Sequence, residues 1–152
     1  MRVFRICKKK FAQAAFSGEG SRLYAGRWNP AGVSMVYTST SLALASVELF
    51  VHLDPSVAPH DLVSIAAEIP GDISIETIAV TSLPRDWRSL NHASLRKRGA
   101  EWIRTGRTVA LRVPSAVVVG EWNVLLNPAH ADFSRIIQEK PLAFRFDDRM
   151  FR

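Results

Sequence analysis

The sequence predicts an α+β fold, and three observations carry that reading. Helix-like and strand-like segments alternate without the regular strand–helix rhythm of a doubly wound sheet. The strand-like runs are short and apolar or alternating, bounded by Gly, Pro, Asn and Asp. A hydrophobic content of 47% over 152 residues supports one real core. No repeat, low-complexity tract or linker interrupts the chain, so residues 1–152 read as one domain.

Residues 3–7, VFRIC, form a first strand with Arg5 at its middle, facing one side only. Residues 11–16, FAQAAF, fit a helical turn. The stretch SGEGSRLYAGRWNPAG holds four glycines and reads as a long polar loop. It matches neither GxGxxG nor a P-loop, because no Lys follows the glycines. Arg22 and Arg27 place two guanidiniums on it, a group suited to bidentate recognition of phosphate or carboxylate. An apolar run then ends at Tyr37, followed by the hydroxyl cluster Thr38-Ser39-Thr40-Ser41.

From Leu42 to Leu53 nearly every residue is apolar, which predicts a helix buried on most faces. Thr40 or Ser41 is its N-cap, and Pro55 lies just past its end. Glu48 is the only acid in that run, and it shares a face with His52, four residues on. An ionised carboxylate in apolar packing costs several kcal/mol unless it is paired. Glu48 is therefore either half of a structural ion pair or aimed into a cleft.

Residues 62–69 and 73–80 read as strands around the turn Pro70-Gly71-Asp72. Residues 92–106, starting at His92, form a basic helix capped by Gly106. Residues 108–113 are a strand ended by Pro114, with Ser115 directly after. Short strands follow at 116–119 and 123–126, then a turn at 127–130 and a short helix over 132–140. Residues 142–146 are a last strand, and the tail DDRMFR is polar and basic.

Several function classes drop out. One cysteine, Cys7, allows no internal disulfide and fits a reducing compartment. The start of the chain lacks the apolar stretch of a secretory signal, and no run approaches the length of a membrane span, so the expected location is cytoplasmic. His52, His60, His92 and His130 are scattered, so no metal site is expected. Ser115 lies in VPSAV rather than in a GxSxG elbow, and by itself reads as a turn residue. A net charge of +6 and a pI near 10.1 suit an anionic small molecule, an acidic protein or nucleic acid. Nucleic-acid binding rests on the stretch LRKRGAEWIR alone, with no helix-turn-helix, zinc-finger or RNP signature beside it.

Two motifs, GEGSRLYAGRWNPAGVSMVYTSTSLALASVELFVHL and VPSAVVVGEWNVLLNPAHADF, resemble the RES domain, the toxin half of RES–Xre toxin–antitoxin pairs. The resemblance spans essentially the whole chain. By motif, the family's arginine, glutamate and serine fall on Arg27, Glu48 and Ser115. A tyrosine before the helix falls on Tyr37, and an arginine of the first strand on Arg5. The resemblance implies a fold like that of ADP-ribosyltransferases, with NAD as substrate. It implies cleavage of the nicotinamide–ribose bond, by hydrolysis, phosphorolysis or transfer of ADP-ribose to a protein. It further implies catalytic roles for Glu48, Arg27 and Tyr37, and NAD contacts from Arg5, Arg27, Tyr37 and Ser115. The expected partner is an Xre-family antitoxin, a helix-turn-helix protein.

Overall fold

A computed structural model describes residues 1–90 and 93–152. Among these residues eight strands form one mixed sheet, accompanied by three α-helices. The strands are β1 (Arg2–Lys8), β2 (Val36–Ser39), β3 (Leu62–Glu68), β4 (Ile75–Thr77), β5 (Ala110–Pro114), β6 (Trp122–Leu126), β7 (Ile137–Gln138) and β8 (Leu142–Phe144). The helices are α1 (Glu19–Leu23), α2 (Leu42–Phe50) and α3 (Ala93–Thr105). The sheet runs β4-β5-β6-β2-β1-β3-β7, with β8 also on β3, and the architecture is α+β as read from the sequence.

Side-chain alternation sorts the sheet into two faces. On one face, Val3, Val36, Val63, Ile65, Val124 and Leu126 pack with Phe16 and Ile136 into the main core. The opposite face carries two separate clusters. Under α3, Leu95 and Trp102 pack with Trp28, Met35, Leu111, Val113 and Leu125. Under α2, Ala45 packs with Ile6, Leu62 and Phe146. Ser39 and Asn123, a registered cross-strand pair, lie on this same face. A polar seam between two apolar clusters is where sheet chemistry becomes available.

Most predicted elements form, and the departures have physical causes. The hydroxyl of Ser41 accepts from the Leu44 amide at 3.0 Å and caps α2. The helix is less buried than its composition predicts: only Leu44 and Ala45 are fully buried, and His52 is exposed beyond its end. The polar loop holds a five-residue helix, α1, started by Gly18 in a left-handed conformation. A Cβ there would also crowd the Met35 amide. Residues 62–69 and 73–80 are not neighbours in the sheet. After the turn the chain crosses to the far edge, where only β4 pairs, in parallel, with β5.

Residues 116–119 are no strand, because the Ser115 hydroxyl captures the Val117 and Val118 amides and folds them into a turn. The expected helix over 132–140 is a short 3-10 turn, Ala131–Arg135, after which β7 extends the edge of β3. The tail is not simply polar: Phe151 stacks edge-on against Phe50 and Phe146, at 5.5 and 5.7 Å between ring centres. Helix α3 ends at Gly106, whose φ of 59° and amide bond to the Trp102 carbonyl close the last turn. The predicted first residue of that helix, His92, lies outside the described residues. No helix among the described residues is long and apolar enough to cross a membrane.

Candidate active site

Glu48 projects from α2 toward the polar seam. Its Oε1 accepts two hydrogen bonds, from the Ser115 hydroxyl at 2.6 Å and from Asn123 Nδ2 at 2.7 Å. The Ser115 oxygen meanwhile accepts from the amides of Val117 and Val118, at 3.1 and 2.9 Å, so its one proton is committed to Glu48. Asn123 is fixed from behind: its Oδ1 accepts from the Ser39 hydroxyl at 2.7 Å. Glu48 is thus not an orphan, and among the described residues it forms no ion pair. Both donors are neutral and both converge on one oxygen. Glu48 Oε2 has no hydrogen bond among the described residues.

Tyr37, at the end of the apolar run on β2, is packed against the α3 cluster. Its hydroxyl donates to Asn29 Oδ1 at 2.7 Å and accepts from the Trp28 amide at 3.0 Å. Burial pushes the phenol up to about 12, against the opposing Trp28 amide and the cations Arg96 and Arg27. Tyr37 is therefore neutral at any physiological pH, with its hydroxyl engaged as both donor and acceptor.

The Arg27 loop is built by Asn29, which is fully buried. Asn29 Nδ2 donates to the carbonyls of Ser21, Tyr24 and Pro30, and Oδ1 also accepts from the Gly26 amide. Two glycines let the loop close. A Cβ on Gly26 would lie 2.7 Å from both the Tyr37 hydroxyl and Asn29 Oδ1, and one on Gly99 of α3 would lie 1.8 Å from the Trp28 carbonyl oxygen. Arg96 of α3 adds a bond to the Gly26 carbonyl at 2.8 Å. Arg27 itself reaches across to a neighbouring turn. Its Nη1 donates to the Trp87 and Ser89 carbonyls at 2.7 and 2.8 Å, and Nη2 to the Arg88 carbonyl at 3.3 Å. Burial lowers its pKa, while the negative field of Glu48 raises it.

Arg5 is set apart. It shares the main-core face of β1 with Val3 and Cys7, opposite the face that carries Ser39 and Asn123. β1 and β2 are tied by a single registered pair, Phe4 with Ser39. Beside that pair, Arg5 Nη1 donates to the Tyr37 carbonyl at 2.9 Å. Its Nε is buried with no hydrogen-bond partner among the described residues, and burial lowers its pKa. The structure thus brings Glu48 and Ser115 into contact and places Tyr37 and Arg27 on the same side of the sheet. It roots Arg5 on the other face, with its guanidinium bonded to the Tyr37 carbonyl.

Sequence reasoning missed Asn123, Asn29 and Ser39. The signal was present but weak: each asparagine follows a tryptophan, in Trp28-Asn29 and Trp122-Asn123, next to an apolar strand. Among the described residues no group of three His, Cys, Asp or Glu could hold a metal ion. Two surface depressions, of about 280 and about 1010 Å³, adjoin Pro59, His60 and Asp61 and share no residue with the seam.

A family model described as "RES domain" matches residues 2–147. A protein named "Toxin Res" from Photorhabdus laumondii is 34% identical, over 100% of this chain and 98% of its own length. Another "Toxin Res", from Yersinia enterocolitica, is 33% identical over 99% of both chains. A "Prs ADP-ribosylating toxin" from a Sphingobium species is 36% identical over 90% of this chain and 86% of its own. In fold, the chain is similar to one in the crystal structure of the M. tuberculosis MbcT-MbcA toxin-antitoxin complex. The TM-score is 0.71 at 14% identity, covering 99% of this chain and 86% of that one.

Proposed function

The chain belongs to the RES domain family, and on that premise we propose that it is the toxin of a toxin–antitoxin pair that cleaves the nicotinamide–ribose bond of NAD. The observation that carries the reading is Glu48: a carboxylate oriented by two neutral donors, with one oxygen unengaged, in the field of Arg27. Departure of nicotinamide leaves positive charge on the ribose, an oxocarbenium-like state related to that of glycoside cleavage. A fixed carboxylate opposite that charge lowers the barrier. Water then takes the anomeric carbon, giving ADP-ribose, nicotinamide and a proton; phosphate in its place gives the phosphorolysis product.

The NAD diphosphate is anionic, and Arg27 is its natural partner. The guanidinium donates at present to three neutral carbonyls, and charged phosphate oxygens make the stronger bonds. Arg5 adds a second buried guanidinium, held at the Tyr37 carbonyl. Tyr37 supplies a neutral ring and hydroxyl for nicotinamide or ribose. Ser115, whose proton goes to Glu48, acts through the carboxylate rather than on the nicotinamide amide. An Xre-family antitoxin restrains the enzyme in the cytoplasm.

Transfer of ADP-ribose to a protein is the second reading, favoured by the relative named as an ADP-ribosylating toxin. The same cleft serves both reactions. A nucleic-acid role is weaker, because Arg96 and Arg98 of the basic helix are engaged by Gly26 and Ser82. The test incubates the purified chain with NAD, with and without phosphate and cell lysate, and identifies products by mass. Free nicotinamide with ADP-ribose, its phosphorolysis counterpart or a labelled protein separates the three chemistries. Intact NAD in all arms rejects the proposal.

A further inference from the structure

Asn123 lies in the middle of the cluster yet belongs to neither the arginine–glutamate–serine set nor the tyrosine. Its position is dictated by the sheet. Ser39 and Asn123 are directly opposed across β2 and β6, and the Ser39 side chain is 4% exposed. The Ser39 hydroxyl donates to Asn123 Oδ1 at 2.7 Å, which turns Nδ2 toward Glu48. Nδ2 then donates to Glu48 Oε1 at 2.7 Å, on the same oxygen that Ser115 reaches at 2.6 Å.

Two features of this arrangement matter chemically. Donors on one oxygen fix the plane of a carboxylate and determine which oxygen remains available. Donors that are uncharged do so without neutralising it, whereas a lysine or arginine at either place would cancel the charge that a cationic transition state needs. We infer that Asn123, held by Ser39, is a positioning residue that pins Glu48 Oε1 and presents Oε2 to the ribose. The inference rests on the NAD-cleavage reading. It makes the sheet register, and not only helix α2, responsible for aiming the carboxylate.

The experiment compares the full chain with Asn123→Ala, Asn123→Asp and Ser39→Ala, measuring melting temperature, KM and kcat with NAD on the same preparations. Asn123→Ala removes one of two pins and lowers kcat on the order of 10²-fold, with KM within about twofold. Asn123→Asp keeps the shape but turns an oxygen against Oε1, and lowers kcat further. Ser39→Ala leaves the amide free to rotate and gives a smaller fall in the same direction, and it carries the test if the aspartate variant does not fold. A rise in KM at constant kcat would place Asn123 on the substrate and overturn the inference. So would full activity per folded molecule in Asn123→Ala, whatever its melting temperature. If the unaltered chain leaves NAD intact, the NAD reading itself has failed, an outcome distinct from a variant that behaves like its parent.

Discussion

Glu48 and Arg27 are both held by uncharged partners, but by opposite kinds of scaffold. The carboxylate is gripped by side chains rooted on β6 and at the end of β5, backed by a registered strand pair. The guanidinium is gripped by backbone carbonyls of the irregular turn at residues 87–89. The donors of Glu48 are set by sheet register, whereas the partners of Arg27 are set by a turn outside the sheet. Only one half of the candidate site is therefore anchored on the sheet. On the NAD reading proposed above, the anionic half is preorganised, and the cationic half exchanges carbonyls for phosphate on binding.

The largest expected effect tests the preorganised half. Glu48→Gln keeps the shape and removes the charge, so NAD still binds while turnover falls roughly 10²–10³-fold. The melting temperature holds, because no cation loses its partner. A lower melting temperature with unchanged activity per folded molecule would make Glu48 structural and erase the contrast. On the exchangeable half, Arg27→Ala weakens NAD binding by about 1.5–3 kcal/mol and leaves the fold in place. Calorimetric titration with unchanged affinity would remove Arg27 from the site.

Gly99→Ala probes the same contrast by acting on the loop from behind. The new methyl meets the Trp28 carbonyl, so α3 and the loop must separate, at a cost of about 1–3 kcal/mol. NAD affinity then falls more than kcat; equal losses would mean that the two halves are mechanically one. Tyr37→Phe is the mildest, removing the hydroxyl shared by Asn29 and Trp28, at about 1 kcal/mol in chemical denaturation. Its pH signature is specific. A phenol raised from 10.0 to about 12 contributes stability that is full below pH 10 and is lost as pH rises toward 12. Denaturation across that window shows a steeper decline for the parent than for Tyr37→Phe.

Much of this was legible in the sequence, for reasons local to it. Ser41 and Gly106 mark helix ends by backbone chemistry, and β1, β2, β3, β5 and β6 follow from apolar runs. What could not be read depends on distant partners or on a single side chain. Residues 116–119, AVVV, have the composition of a strand, yet one serine hydroxyl folds them away. β4 pairs with a strand more than thirty residues on, so nothing near it announces its place. Glu48 looked like a charge in apolar packing, and its answer, Ser115 and Asn123, lies 67 and 75 residues away. The motif resemblance supplied Ser115, but only geometry supplied Asn123 and the side of the sheet on which Arg5 lies.

Those separations bear on how the protein is made. A chain emerging from its N-terminus presents Arg5, Arg27, Tyr37 and Glu48 while β5 and β6 do not yet exist. β2 then has no partner in β6, Ser39 has no Asn123 to orient, and the carboxylate on α2 points nowhere in particular. Such long-range pairing is slow to form and comes late. A nascent or truncated chain therefore carries most of the candidate site residues without the partners that orient Glu48. For a cell that synthesises a toxin, vectorial synthesis becomes a built-in delay: Glu48 meets its two donors only once β5 and β6 have been made.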